Sequence, residues 1–188
     1  MNECFASFPR LETERLSLSQ VQYKDTDQLY EILSDPEVAM FDYFYPVTSK
    51  AEVTKFIDRY KKEYEKNEEI TWGINLKETD QLIGICCLGS FDEGARRAEL
   101  GYDIAQAKWG KGYATEAIRA VIDFGFNSMM LNRIEATITP GNDASVQVLK
   151  KLNFIQEGVF RERDLIKGKL EDGILMSILK RDYINETP

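Results

Sequence analysis

Apolar and polar residues alternate from Arg15 to Val21, with Leu16, Leu18 and Gln20 set against Ser17, Ser19 and Val21. A period of two predicts a first strand. Asp25 to Leu33 reads as a short helix closed by Ser34-Asp35-Pro36. Ser49 and Glu52 form a capping-box pattern ahead of a second helix, whose Val53, Phe56, Ile57, Tyr60 and Tyr64 share one face. Ile70 to Leu76 and Leu82 to Leu88 read as paired strands around Lys77-Glu78-Thr79-Asp80-Gln81. Phe91 to Ala95 reads as a polar turn before a fourth strand, Arg97 to Ile104.

The helical period returns from Tyr113 to about Met130, with Ala114, Ala117, Ile118, Val121, Phe124 and Gly125 at core spacing. Arg133 to Ile138 is a fifth strand, alternating through Ile134, Ala136 and Ile138 and broken by Pro140-Gly141. Asn142 or Asp143 opens a helix bearing Val146, Leu149 and Leu152, and Phe154 to Phe160 and Ile174 to Leu179 are closing strands. The order β-α-α-β-β-β-α-β-α-β-β predicts an α/β domain of the α+β type, with about four helices packed on a mixed sheet of about seven strands. With no linker or repeat in sight, residues 1–188 are expected to form a single domain.

Composition narrows the function. An apolar fraction of 43% beside a charged fraction of 30% fits a soluble globular chain. No apolar run approaches the roughly 20 residues that span a bilayer. The N-terminal stretch has no basic region followed by an apolar core, so no secretory signal is expected. Three cysteines, two of them the adjacent Cys86 and Cys87, suggest reduced thiols in a cytoplasmic protein, with the neighbouring pair facing opposite sides of its strand. The net charge of −8 argues against direct nucleic-acid binding and suits a cationic partner, although it serves solubility equally well. The chain contains no histidine. Ser-His-Asp and Cys-His systems and histidine metal sites are therefore excluded, and any base is a carboxylate, Tyr, Cys, Lys or relayed water. No metal is expected.

The most informative stretch is Trp109-Gly110-Lys111-Gly112-Tyr113-Ala114-Thr115-Glu116-Ala117. Two glycines at a helix start leave backbone N–H groups uncovered, and such a start receives a phosphate group. A phosphorylated cofactor is the expectation. The Gly-x-Gly-x-x-Gly fingerprint of dinucleotide-binding oxidoreductases is absent.

Four ordered stretches carry a resemblance. Leu11-Glu12-Thr13-Glu14-Arg15-Leu16, Ala98-Glu99-Leu100-Gly101-Tyr102, Trp109-Gly110-Lys111-Gly112-Tyr113-Ala114, and Asn142-Asp143-Ala144-Ser145 with Lys151-Leu152-Asn153-Phe154 span nearly the whole chain. Together they resemble the GCN5-related N-acetyltransferases (GNAT), and more narrowly the ribosomal-protein N-terminal acetyltransferase branch. The resemblance implies acetyl-CoA as cosubstrate and a sheet splayed between its fourth and fifth strands. The pantetheine arm would lie along the backbone of Tyr102, Asp103, Ile104 and Ala105. The pyrophosphate would sit on Gly110, Lys111, Gly112, Tyr113, Ala114 and Thr115, with Asn142 also near the cofactor. Trp109 stands where the wider family has Gln or Arg. Leu149 stands where many relatives carry a tyrosine that protonates the departing thiolate. Asn153 stands in place of a frequent glycine, and a left-handed turn is expected there.

By the same resemblance Ser145 is a candidate proton donor to the thiolate, against a plain role in the first helical turn. Glu99 and Asp164 are the candidate bases, each of which also reads as a solvated or structural carboxylate. Phe41, Tyr43, Phe44 and Tyr45 would overhang the acceptor entrance, or else pack as ordinary core, and Asp42 would attract a cation. Lys150 and Lys151 read as a solvated helix face, with an approach to the nucleotide phosphate as the alternative. The expected function is acetyl transfer to a primary amine, with a protein N-terminal α-amine favoured. A polyamine or antibiotic acceptor and a non-catalytic acyl-CoA sensor are the alternatives, and a homodimer is left open.

Overall fold

The computed structural model describes residues 2–184; Met1 and residues 185–188, at the ends of the expected domain, lie outside the described residues. Its strands are β1 (Leu11–Glu12), β2 (Leu16–Gln20), β3 (Glu69–Leu76), β4 (Leu82–Asp92), β5 (Arg97–Ile104), β6 (Arg133–Ile138), β7 (Ile155–Ile166) and β8 (Lys169–Leu179). Its helices are α1 (Thr26–Leu33), α2 (Lys50–Glu65), α3 (Tyr113–Asn127), α4 (Asp143–Lys151) and the short α5 (Lys180–Ile184). The strands form one sheet in the order β1-β2-β3-β4-β5-β6-β8-β7. Every pairing is antiparallel except β5–β6, which is parallel and bridged by α3. The expected mixed, mostly antiparallel α/β architecture is the one observed, with one additional two-residue strand, β1.

Each face of the sheet carries a core because strand side chains alternate. Leu16, Leu18, Trp72, Ile74, Leu100 and Ile134 pack beneath α3 and α4 with Ile118, Val121, Ile122, Phe126 and Leu149. On the other face Val21, Leu82 and Ile85 meet Leu29, Leu33, Val53, Ile57 and Tyr60 of α1 and α2. Cys86 joins the first core, while Cys87 lies opposite Gly101 on the other face.

Local signals resolve in instructive ways. Ser49 Oγ accepts from the Glu52 N–H at 3.4 Å, but the Glu52 carboxylate reaches back one residue further than a capping box, to the N–H and hydroxyl of Thr48, both at 2.9 Å. Asn142, not Asp143, caps α4, and Asn153 holds the left-handed turn at φ 64°. The predicted turn Phe91 to Ala95 is corrected: β4 runs on through Asp92, and the turn occupies residues 93–96. The helix predicted to Met130 stops at Asn127, with Ser128 at its C-cap. The closing hairpin is much longer than its hydrophobic pattern, since Arg161–Ile166 continues β7 against β8 although most of β7 is exposed. Backbone ladders pair strands without regard to side-chain polarity, so no alternation marks that extension.

Candidate active site

β5 and β6 are paired only over Arg97–Arg133, Ala98–Ile134 and Glu99–Glu135. Beyond this point β5 stays on β4 as far as Ile104, and β6 stays on β8 as far as Ile138, so the two strands part into a V. An ion network holds the closed end. Arg133 grips the Glu157 carboxylate with both Nη atoms at 2.8 and 2.6 Å and gives Nε to Glu135 at 2.7 Å. Arg97 also bonds to Glu135, and Ser177 links Arg133 at 3.0 Å to Glu157 at 2.7 Å. The bonds from Arg133 and then Ser177 hold the Glu157 carboxyl down to about 2. Four strands, β5, β6, β8 and β7, are thereby stapled where the V begins.

The mouth of the V carries the glycine-flanked helix start. Gly110 and Gly112 have φ of 72° and 78°, the left-handed region that glycine occupies without strain. The opening backbone bond of α3 runs from the Glu116 N–H to the Gly112 carbonyl at 3.0 Å. The N–H groups of Tyr113, Ala114 and Thr115 precede it and point out of the helix end, as at any helix start. Trp109 braces the turn, donating its indole N–H to the Ile104 carbonyl at 2.7 Å. Lys111 Nζ folds back to the Ala107 carbonyl at 3.0 Å.

A cation arrives at this turn from elsewhere in the chain. Arg15 gives Nε to Glu116 at 2.6 Å and Nη1 to the Lys111 carbonyl at 3.0 Å, and its guanidinium lies 4.5 Å from the Tyr113 ring centre. A Cβ at Gly112 would stand 3.5 Å from Arg15 Nη2, inside this cradle. Partial burial opposes ionisation of Glu116, but bonds from the Thr13 hydroxyl and from the backbone and side chain of Arg15 outweigh it and hold the carboxyl below its usual range. Arg15 was not foreseen as a site residue. Nothing local marks it, because its partners lie about a hundred residues away.

The α1/α2 side of β5 presents Glu99, Gly101 and Asp103 in alternation. Arg163, from β7, lies 3.8 Å from Glu99 and 3.7 Å from Asp164, and gives Nη1 to Thr137 Oγ1 at 2.6 Å. The two candidate bases therefore share one guanidinium that sequence reading did not foresee. Tyr43 reaches the same group: burial, then the neighbouring Asp164 carboxylate, push its phenol up to about 12. Further along, Asp103 faces Asp42. Desolvation and the Asp42 carboxylate raise Asp103 well above the usual range, while desolvation raises Asp42 to about 6 against the pull of Asp103 and Lys167. The segment from Phe41 to Tyr45 is tied across the V. Thr139 donates to the Phe41 carbonyl at 3.2 Å, Tyr45 donates to the Lys167 carbonyl at 3.1 Å, and Lys167 donates to the Ala39 and Met40 carbonyls. Phe44 is instead turned into the α2 core against Phe56, at 5.3 Å between ring centres.

On the opposite side of β5, Tyr102 faces α4. Ser145 gives its N–H to Asn142 Oδ1 at 3.2 Å, so the asparagine side chain is spent on capping the helix. Leu149 is fully buried in the core and chemically inert. Lys150 and Lys151 lie on the exposed face of α4. Among the described residues no group of His, Cys, Asp or Glu is arranged to hold a metal. No described helix is long and apolar enough to cross a membrane.

The candidate active site is thus a parallel strand pair opened into a V, with a glycine-turned helix start at its mouth and ionisable groups on its inner edges. Residues 15–155 match the family model described as an acetyltransferase (GNAT) domain, and the chain belongs to that family of N-acetyltransferases. It is 39% identical over 173 residues to the N-acetyltransferase p20 of Bacillus licheniformis, covering 92% of this chain and 97% of that protein. Among solved structures it resembles the ribosomal-protein-S5-alanine acetyltransferase of Vibrio fischeri, with TM-score 0.77, 20% identity and coverage of 96% and 100%. It also resembles the spermidine N-acetyltransferase of Vibrio cholerae in complex with CoA and spermine, with TM-score 0.78, 24% identity and coverage of 92% and 100%. Enzymes of this family use acetyl-CoA.

Proposed function

We propose that this enzyme moves the acetyl group of acetyl-CoA to a primary amine, with a protein N-terminal α-amine as the favoured acceptor. The opened β5–β6 pair with its glycine-turned helix start is the observation that carries the reading. The turn fits the cosubstrate, because Gly110 and Gly112 leave it open with no side chain over it and the Arg15 guanidinium stands beside it. The N–H groups of Gly110, Lys111, Gly112, Tyr113, Ala114 and Thr115 bind the pyrophosphate. The free backbone edge of Tyr102, Asp103, Ile104 and Ala105 lies along the pantetheine arm, and Asn142 holds the α4 turn beside it. Acetyl-CoA supplies an activated acetyl thioester when bound.

The chain's own residues divide the remaining work. Ser145 protonates the departing sulfur. Glu99 and Asp164, held by Arg163, face the amine and take its proton through water. Phe41, Tyr43 and Tyr45 shape the acceptor entrance. No histidine is present, so the amine's deprotonation falls to a carboxylate acting through water. An acceptor that is already partly neutral at pH 7 is therefore favoured. An α-amine titrates near ~7.7–8.0 and lysine near ~10.4, a difference worth roughly 3–4 kcal/mol at neutral pH. The three free cysteines support a cytoplasmic setting.

A second reading rests on the acidic lining. Glu99 and Asp164 stand on one side of the V and the chain carries a net charge of −8, so a polyamine is the competing acceptor. Mass spectrometry of products separates the two. The substrates are peptides with a free N-terminus and blocked lysine, the reverse pair, and spermidine. Faster acetylation of the first, with kcat/KM rising toward the amine's own pKa, supports the α-amine reading. Faster acetylation of lysine peptides or spermidine at pH 7 overturns it.

A further inference from the structure

Glu116 lies in the first turn of α3. An acidic side chain there is drawn to the positive helix end and its uncovered N–H groups, the same features that an incoming phosphate needs. In this structure the carboxylate is carried off instead, to the bend between β1 and β2. Thr13 Oγ1 donates to its Oε1 at 2.6 Å, the Arg15 N–H donates to the same oxygen at 2.8 Å, and Arg15 Nε donates to Oε2 at 2.6 Å. Gly112, at the N-cap, brings no side chain of its own, so the helix start is left without a side-chain cap. The same guanidinium gives Nη1 to the Lys111 carbonyl at 3.0 Å and rests 4.5 Å from the Tyr113 ring centre. The ammonium of Lys111 is turned back to the Ala107 carbonyl. The bend that carries Arg15 is itself fixed to the sheet. Thr13 donates its N–H to the Leu16 carbonyl at 2.9 Å, and the Arg15 carbonyl accepts from the Lys77 N–H at 3.0 Å.

A trans peptide points its carbonyl and its N–H in opposite directions. Tying the Lys111 carbonyl to Arg15 therefore turns the Gly112 N–H away from the guanidinium. Without that tie the peptide can flip, because the flip turns on φ of Gly112, and glycine changes the sign of φ at little cost. A flipped turn presents a carbonyl oxygen where an anion needs an N–H. We infer that Arg15 is a positioning residue for the diphosphate of acetyl-CoA, holding the Gly112 N–H outward and keeping the Glu116 carboxylate off the start of α3. The inference rests on the reading of this turn as the diphosphate site. Affinity falls with the fraction of molecules whose turn is competent, so losing the lock weakens binding even though Arg15 need not touch the ligand. Lysine is a poor replacement. A single ammonium lacks the planar fork that reaches the Glu116 carboxylate and the Lys111 carbonyl together.

The test uses Arg15→Ala, Arg15→Lys, and Arg15→Ala combined with Glu116→Gln. The Arg15 side chain is 44% exposed, so its removal opens no core cavity, and circular dichroism checks that each variant folds. The first readout is CoA affinity by calorimetry, which does not depend on turnover. The second is the ratio of kcat/KM for acetyl-CoA to that for acetyl-pantetheine, which lacks the diphosphate. A merely structural role lowers both thioesters alike and leaves the ratio unmoved. Arg15→Ala should weaken CoA and lower the ratio about tenfold, the worth of one charge-assisted bond. Arg15→Lys should remain about threefold or more weaker than wild type. Adding Glu116→Gln to Arg15→Ala should win back about threefold in CoA affinity, because the released side chain is then neutral. Wild-type behaviour of either single variant overturns the inference. So do an equal loss for the two thioesters and a double variant that recovers nothing. A wild-type enzyme with no preference for acetyl-CoA over acetyl-pantetheine overturns the reading of the turn and the inference with it. A preference that Gly112→Asp abolishes and Arg15→Ala keeps overturns the inference alone.

Discussion

Asp42→Asn tests the carboxyl pair on the acceptor side. In the folded protein desolvation holds Asp42 at about 6, opposed by the Asp103 bond and Lys167, whereas an unfolded aspartate titrates near ~3.9. A carboxyl raised on folding binds its proton more tightly in the native state. Its contribution is therefore fully present below the unfolded value and is lost as pH rises through the folded one. Taking these two values, the native state sheds about 1 kcal/mol of stability between pH 5 and pH 7 on account of this group alone. Asparagine does not titrate, and it also removes the like charge that raises Asp103. Wild type should thus lose ground to Asp42→Asn by about 1 kcal/mol over this interval. The assay is urea unfolding of both proteins at pH 5 and pH 7 in one buffer of fixed ionic strength, with the two stabilities subtracted at each pH. A gap between the proteins that is equal at both pH values, or one that favours wild type more at pH 7, would falsify the assignment of a shared proton to Asp42 and Asp103.

Three further outcomes follow from the geometry. Gly112→Asp places a side chain and a negative charge in the Arg15-lined cradle and forces an L-residue to φ 78°; calorimetry should show acetyl-CoA affinity reduced by roughly tenfold or more in a folded variant. Gly84→Ala drives a Cβ into the Asp103 carbonyl and to 2.7 Å from Ile104 Cδ1, so it should cost about 1–3 kcal/mol by overpacking. Because it displaces the β5 edge, it should also weaken acetyl-CoA, and thermal unfolding with calorimetry reads both effects. Glu135→Ala removes the almost fully buried carboxylate shared by Arg97 and Arg133, while Arg133 keeps Glu157 and Arg97 keeps solvent and Asp92, so denaturant unfolding should show a loss of about 1–3 kcal/mol.

Much of the site's phosphate end is local and could be read from the chain. Two glycines spaced by one residue before a helical period mean left-handed turns and free N–H groups wherever that helix ends up, and Gly110 and Gly112 adopt them. The left-handed turn at Asn153 was expected from the family resemblance, which has a frequent glycine there, and the structure has it at φ 64°. The acceptor end is different. Glu99 and Asp164 were visible as carboxylates, but Arg163 between them was not assigned, because its effect depends on the β7–β8 hairpin folding across the V. Tyr102 and Asp103 were legible only as backbone; which face each side chain takes, and the meeting of Asp103 with Asp42, waits on the sheet.

The sequence by itself determined the elements: alternation along β2, β5 and β6, the 3.6-residue stripes of α2 and α3, and the missing histidine that excludes a whole class of mechanisms. These depend on contacts a few residues apart, where side-chain type acts directly on φ and ψ. Only the tertiary structure decided that β8 would insert between β6 and β7, that the splay of β5 from β6 implied by the resemblance would begin after three paired residues, and that Arg15 would reach α3. Strand partners are chosen by backbone bonds that are blind to residue identity, and are settled by which faces bury together. The cleft that makes this chain an enzyme is a property of that long-range choice, not of any one segment.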